Sequence, residues 1–449
     1  MKPAAVVFGA GKAACGLLGQ VLFESGYETT FVARRSEVIA AINHRGGYTL
    51  IEAGRRLRTV AVGESAALNI ADSGSVARAI AEAEVLFTAV GADNLPAIAP
   101  AIAAGLARRA PARGPLNVIA CENLPGAGAY LAHQVLSAAG PNLADLVQHV
   151  GGFTAALTRR IMTGGAIERG ELTFTVDAPI DLVIDRTGLK GSFAPLAGAE
   201  VTGDFGAAVM RKLFTINLAQ AVAAYLGYQA GCTFVHEAAA HPAVAGVVRG
   251  ALDEATEALI AAFPAQQVAI RRDADEALAR IANDRLADPI SRVARDPRRK
   301  LSPRERLVGA ARLAGQFGLP TVSLSRAIAA ALLYDDPGDP QAAAMQRDIQ
   351  AESIDKVLTE DCGLLPYDVL SRAVKGEWLD LSSAKRRRSQ ADAGTCVREI
   401  IAVIRADLGS CLEEGLVNRV LGLVKDEIRR QDHAARGRSI AFAAGGGGQ

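Results

Sequence analysis

Apolar residues run unbroken from Ala4 to Phe8, the pattern of a short strand buried on both faces of a parallel sheet. The loop Gly9-Ala10-Gly11 follows. Apolar positions then recur at helical spacing through Leu17, Leu18, Val21 and Leu22 until Gly26 closes the element. A second apolar stretch, Thr29 to Ala33, completes a strand–turn–helix–strand pattern within about thirty residues, a βαβ unit. Further strands are predicted over Glu84–Thr88 and Leu116–Ala120. They end in the loops Ala89-Val90-Gly91 and Cys121-Glu122-Asn123, and in an open parallel sheet ligands sit at those carboxyl ends. Leu172 to Ile184 reads as more strand. Beyond Phe205 the pattern turns helical and rich in alanine and leucine, over Phe205–Leu226, His241–Phe263, Pro303–Phe317 and Ser323–Leu333. Pro320 and the run Asp335-Asp336-Pro337-Gly338-Asp339-Pro340 punctuate these helices.

The loop Gly9-Ala10-Gly11-Lys12-Ala13-Ala14 matches the dinucleotide fingerprint G-x-G-x-x-G/A. Gly9 permits the tight turn and Gly11 lets backbone amides approach a pyrophosphate. Ala14 keeps the helix close to the strand, and the helix N-terminus offers free N–H groups. The fold class is therefore α/β: an N-terminal Rossmann-type doubly wound sheet over residues 1–195, then a mostly α-helical domain over 196–381. A helical extension over 382–449 ends in four glycines expected to be disordered.

Composition narrows the partners. Half of the 449 residues are apolar, aromatics are sparse, and the formal charge is +1. No global field recruits nucleic acid or an anionic membrane. The six cysteines (Cys15, Cys121, Cys232, Cys362, Cys396, Cys411) form no C-x-x-C pair, which argues against a zinc site or disulfide framework and for a reducing cytoplasm. No stretch reaches the ~18 apolar residues of a membrane span. A monomer or small homo-oligomer is expected.

The end of the second strand bears on the cofactor. An NAD site usually places an acid there, but this chain reads Ala33-Arg34-Arg35-Ser36. Two guanidiniums suit a ribose 2′-phosphate, which favours NADP over NAD; a solvated surface pair is the alternative. In the helical half, Lys212, Asn217 and Gln220 fall within about 140° of one another on one helix at ~100° per residue. They converge either on a ligand, with Lys212 as a desolvated base, or on other buried polar groups in purely structural hydrogen bonds.

With these features on the page, the chain resembles the polyol-specific long-chain dehydrogenases. The resemblance rests on FGAGKAACG at 8–16, TAVG at 88–91, ACENL at 120–124, RKLFTINLAQAVAAYLGYQAG at 211–231, RKLSPRERL at 299–307 and DDPGDPQA at 335–342. It covers roughly residues 4–380 and looks closest to the mannitol-1-phosphate branch. It implies metal-independent hydride transfer between NAD(P) and a secondary alcohol of a polyol, its phosphate or a sugar acid, with the ketose as product. It assigns the base to Lys212 and the carbonyl-polarising asparagines to Asn217 and Asn123. Cofactor contacts fall on Gly9, Gly11, Lys12, Ala14, Arg34, Arg35, Ala89, Val90 and Gly91. Arg299 and Lys300 match an element expected to meet a substrate phosphate or carboxylate, with a solvated or helix-capping pair as the alternative.

The chain departs from the family's pattern in several places. Gln220 stands where the family has histidine, and it can orient a hydroxyl but carry no proton. Ala33 replaces the acid after the second strand, and Cys15 stands where the branch commonly has arginine. The extension beyond 382 has no counterpart in shorter members. Two other patterns are read as inert. His236 and His241 are five apart, not the four an H-E-x-x-H helix needs, and Lys385–Arg388 reads as a solvated helix start. Cys121 reads as a small buried thiol.

Overall fold

Odd and even positions of the first apolar run point to opposite faces of a sheet. Strand β1 (Ala4–Phe8) sends Ala5 and Val7 into one hydrophobic core and Val6 and Phe8 into another, as a strand covered on both faces must. The computed structural model describes residues 2–54 and 56–387, so most of the expected C-terminal extension, with its glycine tail, lies outside the described residues. After β1 come β2 (Glu28–Ala33), β3 (Tyr48–Ala53), β4 (Leu57–Val62), β5 (Ser65–Asn69), β6 (Val85–Thr88) and β7 (Leu116–Ala120). They are followed by β8 (Gly151–Thr158), β9 (Ala166–Glu168), β10 (Glu171–Asp177), β11 (Leu182–Asp185) and β12 (Ala199–Thr202).

Eight strands form one sheet in the order β12-β11-β8-β7-β6-β1-β2-β5. From β5 to β8 every pairing is parallel, and β11 then runs antiparallel to β8. The order reverses at β1, whose neighbours are β2 and β6, and ligands bind at such a crevice. The helices Ser73–Glu82, Leu95–Ala107 and Ala127–Ala139 cover one face through Ile80, Ile102 and Leu131.

The other face meets the helix that opens after the glycine loop. That helix widens into a π turn over Ala14–Gly19, and its freed carbonyls find partners from a second, four-stranded sheet and its surroundings. Tyr48 Oη on β3 donates to the Cys15 carbonyl at 2.7 Å, and Arg160 Nη1 donates to the Gly16 carbonyl at 2.9 Å. Arg160 is buried and also donates to Gln20, Glu52 and the Asp177 carbonyl. The loop-bearing helix is thus clamped from beneath.

Two expectations change here. The stretch Leu172–Ile184 is two strands in different sheets: β10 pairs with β3, whereas β11 pairs with β8. Pro179, between them, cannot extend a ladder. The helix expected over Phe205–Leu226 is two helices, Phe205–Phe214 and Ile216–Ala230, broken at Thr215 with φ −117° and ψ −89°. The Thr215 hydroxyl donates to the Arg211 carbonyl at 2.6 Å, alongside the Thr215 N–H, which donates to the same oxygen at 3.0 Å.

Ile216–Ala230 is buried nearly all round, as its alanine-rich composition requires, and packs among Pro242–Ala262, Gln267–Ile281 and Val322–Leu332. The helix expected from Pro303 begins only at Val308. All of this belongs to one unit, Met1–Ser371, the other being Arg372–Gln449. Residues 372–387 of that second unit are helical, so a helix already runs through the stretch before Lys385–Arg387, where one was expected to start; Arg388 lies outside the described residues. Among the described residues no helix is long and apolar enough to cross a membrane.

Candidate active site

The crevice beside β1 is built by backbone geometry that only small residues permit. Gly9 sits at φ +105°, and a Cβ there would lie 2.4 Å from the Ala89 carbonyl oxygen at the end of β6. Gly11 faces open space, with nothing within 4 Å of where a Cβ would stand. The fold therefore does not need glycine at 11 for its own packing, and a pyrophosphate brought against the loop would. Ala14 is fully buried where the helix meets the sheet. A cavity of about 370 Å³ opens from the loop and is lined by Gly9, Gly11, Arg34, Arg35, Ala89 and Val90 among others. The residues present fit a dinucleotide.

Both arginines after β2 are exposed and face this cavity. Arg35 lies 3.4 Å from Glu37, whereas Arg34 has no ion pair or hydrogen bond among the described residues. The loops ending β6 and β7 are tied by Glu122, a residue the sequence reading passed over. Its carboxylate accepts from the Val90 and Gly91 amides, both at 2.9 Å. Burial pushes its pKa up, and the two amides oppose that shift. The tie leaves neighbouring Asn123 exposed at the carboxyl end of β7, with no hydrogen bond among the described residues.

Lys212 stands on the last turn of Phe205–Phe214. The preceding residue fixes it: Arg211 donates to the buried Asp273 carboxylate at 2.9 and 2.6 Å, and Arg159 donates to the same oxygen at 2.8 Å. The anchored helix end presents Lys212 next to Cys121, close enough that each shifts the other's ionisation. Lys212 has no ion pair or hydrogen bond among the described residues. Burial brings its pKa down to about 8, the Cys121 thiol acting to raise it and Arg306 to lower it further. Burial pushes the Cys121 thiol up to about 12, so it stays a neutral, packed group.

Because the chain breaks at Thr215, Lys212, Asn217 and Gln220 do not share the single helical arc expected of them. Asn217 and Gln220 lie on the following helix and line a second cavity, of about 170 Å³. Neither side chain makes a hydrogen bond among the described residues, and both are half-buried.

The same cavity carries Arg292, Arg295, Arg299, Lys300 and Arg306, with Asp296 as its acid. The sequence singled out only Arg299 and Lys300 of these; Arg306 lies in the same RKLSPRERL stretch, and Arg292 and Arg295 stand outside it. Arg292 is held bidentately by Asp288 at 2.6 Å, and Arg306 Nε donates to Glu305 at 2.9 Å. Arg299 lies 3.4 Å from Glu305 and 3.8 Å from Asp296. Lys300 is only 5% exposed yet has no partner among the described residues, so it is not the solvated or capping lysine of the alternative reading. Burial, reinforced by Arg306 and Arg299, brings its pKa down to about 7. Lys12, on the glycine loop, is lowered by partial burial and by Arg292, which places the loop beside this cluster.

His241 caps the helix after the one carrying His236, its Nδ1 accepting from the Ala243 amide at 3.2 Å, so the two histidines share no helix. Among the described residues no three His, Cys, Asp or Glu side chains are grouped to hold a metal ion.

Comparison with known proteins places this geometry. The family models of the mannitol dehydrogenase Rossmann domain and C-terminal domain match residues 3–196 and 205–365. The chain belongs to the mannitol dehydrogenase family. It is 36% identical over 369 residues to a mannitol-1-phosphate 5-dehydrogenase of Bacillus velezensis, covering 82% of this chain and 97% of that protein. It is 37% identical over 342 residues to one of Paenarthrobacter aurescens, covering 76% and 89%. The structure of Pseudomonas fluorescens mannitol 2-dehydrogenase in complex with NAD and D-mannitol superposes with a TM-score of 0.68 at 16% identity, covering 87% of this chain and 95% of that one. A substrate-free D-sorbitol dehydrogenase gives 0.68 at 16%, covering 83% and 92%, and both share the fold. Membership makes the chain a dehydrogenase acting on CH–OH groups.

Proposed function

We propose that the protein interconverts a phosphorylated polyol, mannitol 1-phosphate or a close relative, and its ketose phosphate, and that it prefers NADP. The dinucleotide lies on residues 1–195 and the reacting groups come mainly from 196–381. The observation that carries the reading is the unpartnered Lys212, next to Cys121 and within electrostatic reach of Arg306, one of five cationic side chains that line the cavity shared by Asn217 and Gln220. A pKa of about 8 leaves Lys212 able to hold or give up a proton near neutrality.

In oxidation the neutral Lys212 amine takes the hydroxyl proton from the reacting carbon's oxygen. Asn123 and Asn217 donate amide N–H groups to that oxygen as it becomes a carbonyl, and Gln220 orients the neighbouring hydroxyl. A bound nicotinamide supplies the acceptor for the hydride leaving the carbon. No metal ion is required by this arrangement. Arg295, Arg299, Lys300 and Arg306 hold a dianionic phosphate at the far end of the substrate. Arg34 meets the ribose 2′-phosphate.

The test is oxidation of NADPH and NADH with fructose 6-phosphate, fructose and a ketouronate. Turnover of the ketose phosphate with NADPH supports the reading. Turnover of the ketouronate alone favours a sugar-acid enzyme, the alternative that Gln220 in place of histidine motivates. The variant Arg34→Ala is expected to raise KM for NADPH about tenfold and leave KM for NADH unchanged; tighter binding of NADH by the unaltered protein sinks the NADP assignment.

A further inference from the structure

The segment Arg295–Leu301 reaches the cavity through an unfavourable backbone. Asp296 lies at φ +61° and ψ +58°, a left-handed conformation that costs a non-glycine residue free energy. Its own N–H donates to Asp339 Oδ2 at 2.9 Å. Asp339 is 4% exposed, and its other oxygen accepts from the Gln341 and Ala342 amides at 2.9 and 3.3 Å, capping the helix Pro340–Ala351.

One turn further the grip repeats. Asp348, on the helix that Asp339 caps, accepts from Arg298 Nη2, and Asp361 accepts from Arg298 Nη1 at 2.8 Å. Arg298 is therefore turned away as an anchor. Arg299 and Lys300, its neighbours, face the cavity. The cationic element is held at both ends by carboxylates that touch no substrate.

We propose that Asp339 is a positioning residue that sets affinity for the substrate's phosphate by locking Asp296 in its left-handed turn; this rests on the reading of the cavity as a phosphate site. Released from the tie, Asp296 relaxes toward right-handed or extended backbone, and Arg295, Arg299 and Lys300 move together. A carboxylate is needed because three N–H groups converge on it from two directions. An asparagine has one acceptor oxygen, and its NH₂ would face an N–H. Serine would cap the helix and leave the Asp296 amide without its partner.

The experiment compares Asp339→Asn, Asp339→Ser and Lys300→Met in the full chain by steady-state reduction of fructose 6-phosphate, with melting temperatures alongside. Both Asp339 variants are expected to raise KM for fructose 6-phosphate about tenfold, with kcat and the dinucleotide KM changed by less than about threefold. Asp296→Gly combined with Asp339→Ser is expected to recover most of that KM, because glycine adopts the left-handed turn without strain. A role confined to helix capping predicts lower melting temperature and lower kcat with KM unmoved and no glycine rescue, and that result overturns the proposal. If Lys300→Met raises KM and the Asp339 variants do not, positioning fails while the phosphate site stands. If Lys300→Met leaves KM unchanged, the phosphate reading fails and the proposal falls with it.

Discussion

Replacing Lys212 removes the group on which the chemistry is proposed to turn, and the structure sets the size of the effect. An ordinary lysine has a pKa of 10.5, and burial brings this one to about 8. At pH 7 roughly a tenth of the molecules then carry a free amine, against about one in three thousand for an unperturbed lysine, a gain of about 300-fold in competent base. Oxidation needs the neutral amine, so its kcat/KM is expected to rise about tenfold per pH unit below pH 8 and level off above it. Reduction needs the protonated form, so its profile is expected to level off below pH 8 and fall above it. Lys212→Ala is expected to lose roughly a hundred- to ten-thousandfold in kcat while still binding the dinucleotide. Lys212→Arg, which keeps the charge and cannot give it up, is expected to be no better. The assay is the pair of pH–rate profiles in the two directions, with dinucleotide binding followed by fluorescence titration. Profiles flat between about pH 6 and pH 9, or a Lys212→Ala enzyme within about threefold of the parent, would refute the assignment.

Two further outcomes follow from the same geometry. Gly9→Ala places a Cβ against the Ala89 carbonyl at a backbone angle alanine rarely adopts, and dinucleotide affinity is expected to fall about tenfold or more; unchanged titration curves would contradict the crevice as described. Lys300→Met is expected to raise the melting temperature at pH 7 while weakening phosphate recognition. The folded protein holds this lysine at about pKa 7 and the unfolded chain near the ordinary 10.5. The unfolded state thus binds more protons between those values, and stability climbs with pH across the window. The methionine variant should show a shallower climb in pH-dependent melting, and an identical slope would contradict it.

The unbroken apolar run Ala4–Phe8, with glycines at 9 and 11, was enough to read a nucleotide-type sheet, because a strand buried on both faces and a tight turn leave local marks. The second sheet was not legible. Its β3 and β10 are about 120 residues apart in the chain, and nothing within either stretch reveals which partner it takes. Lys212 was found by resemblance and by its odd place among apolar neighbours, yet the arc drawn through Asn217 and Gln220 assumed one helix. The break at Thr215, where φ is −117° and ψ −89° and the hydroxyl bonds back to Arg211, leaves no mark in helix periodicity. Glu122 hid between two residues that attracted attention, and its role appears only once the ends of β6 and β7 stand side by side. Arg292 and Arg295 carry no local signal in the sequence, and folding alone gathers them with Arg306 on one cavity.

That gathering of charge links recognition to chemistry. Arg306 lowers the pKa of both Lys212 and Lys300. Arg211 adds little to this field, since Asp273 accepts from it and both are buried. At the amine itself, burial is the largest influence, and Arg306 lowers the pKa while Cys121, Glu305 and Asp181 raise it. On the proposed reading, an anion held by Arg306 offsets that cation and moves Lys212 back toward its ordinary value, whereas a neutral polyol leaves it where it is. The apparent pKa in the oxidation profile is therefore expected to lie higher with a phosphorylated polyol than with an uncharged one, and identical values with both would show that the cation cluster does not reach the base.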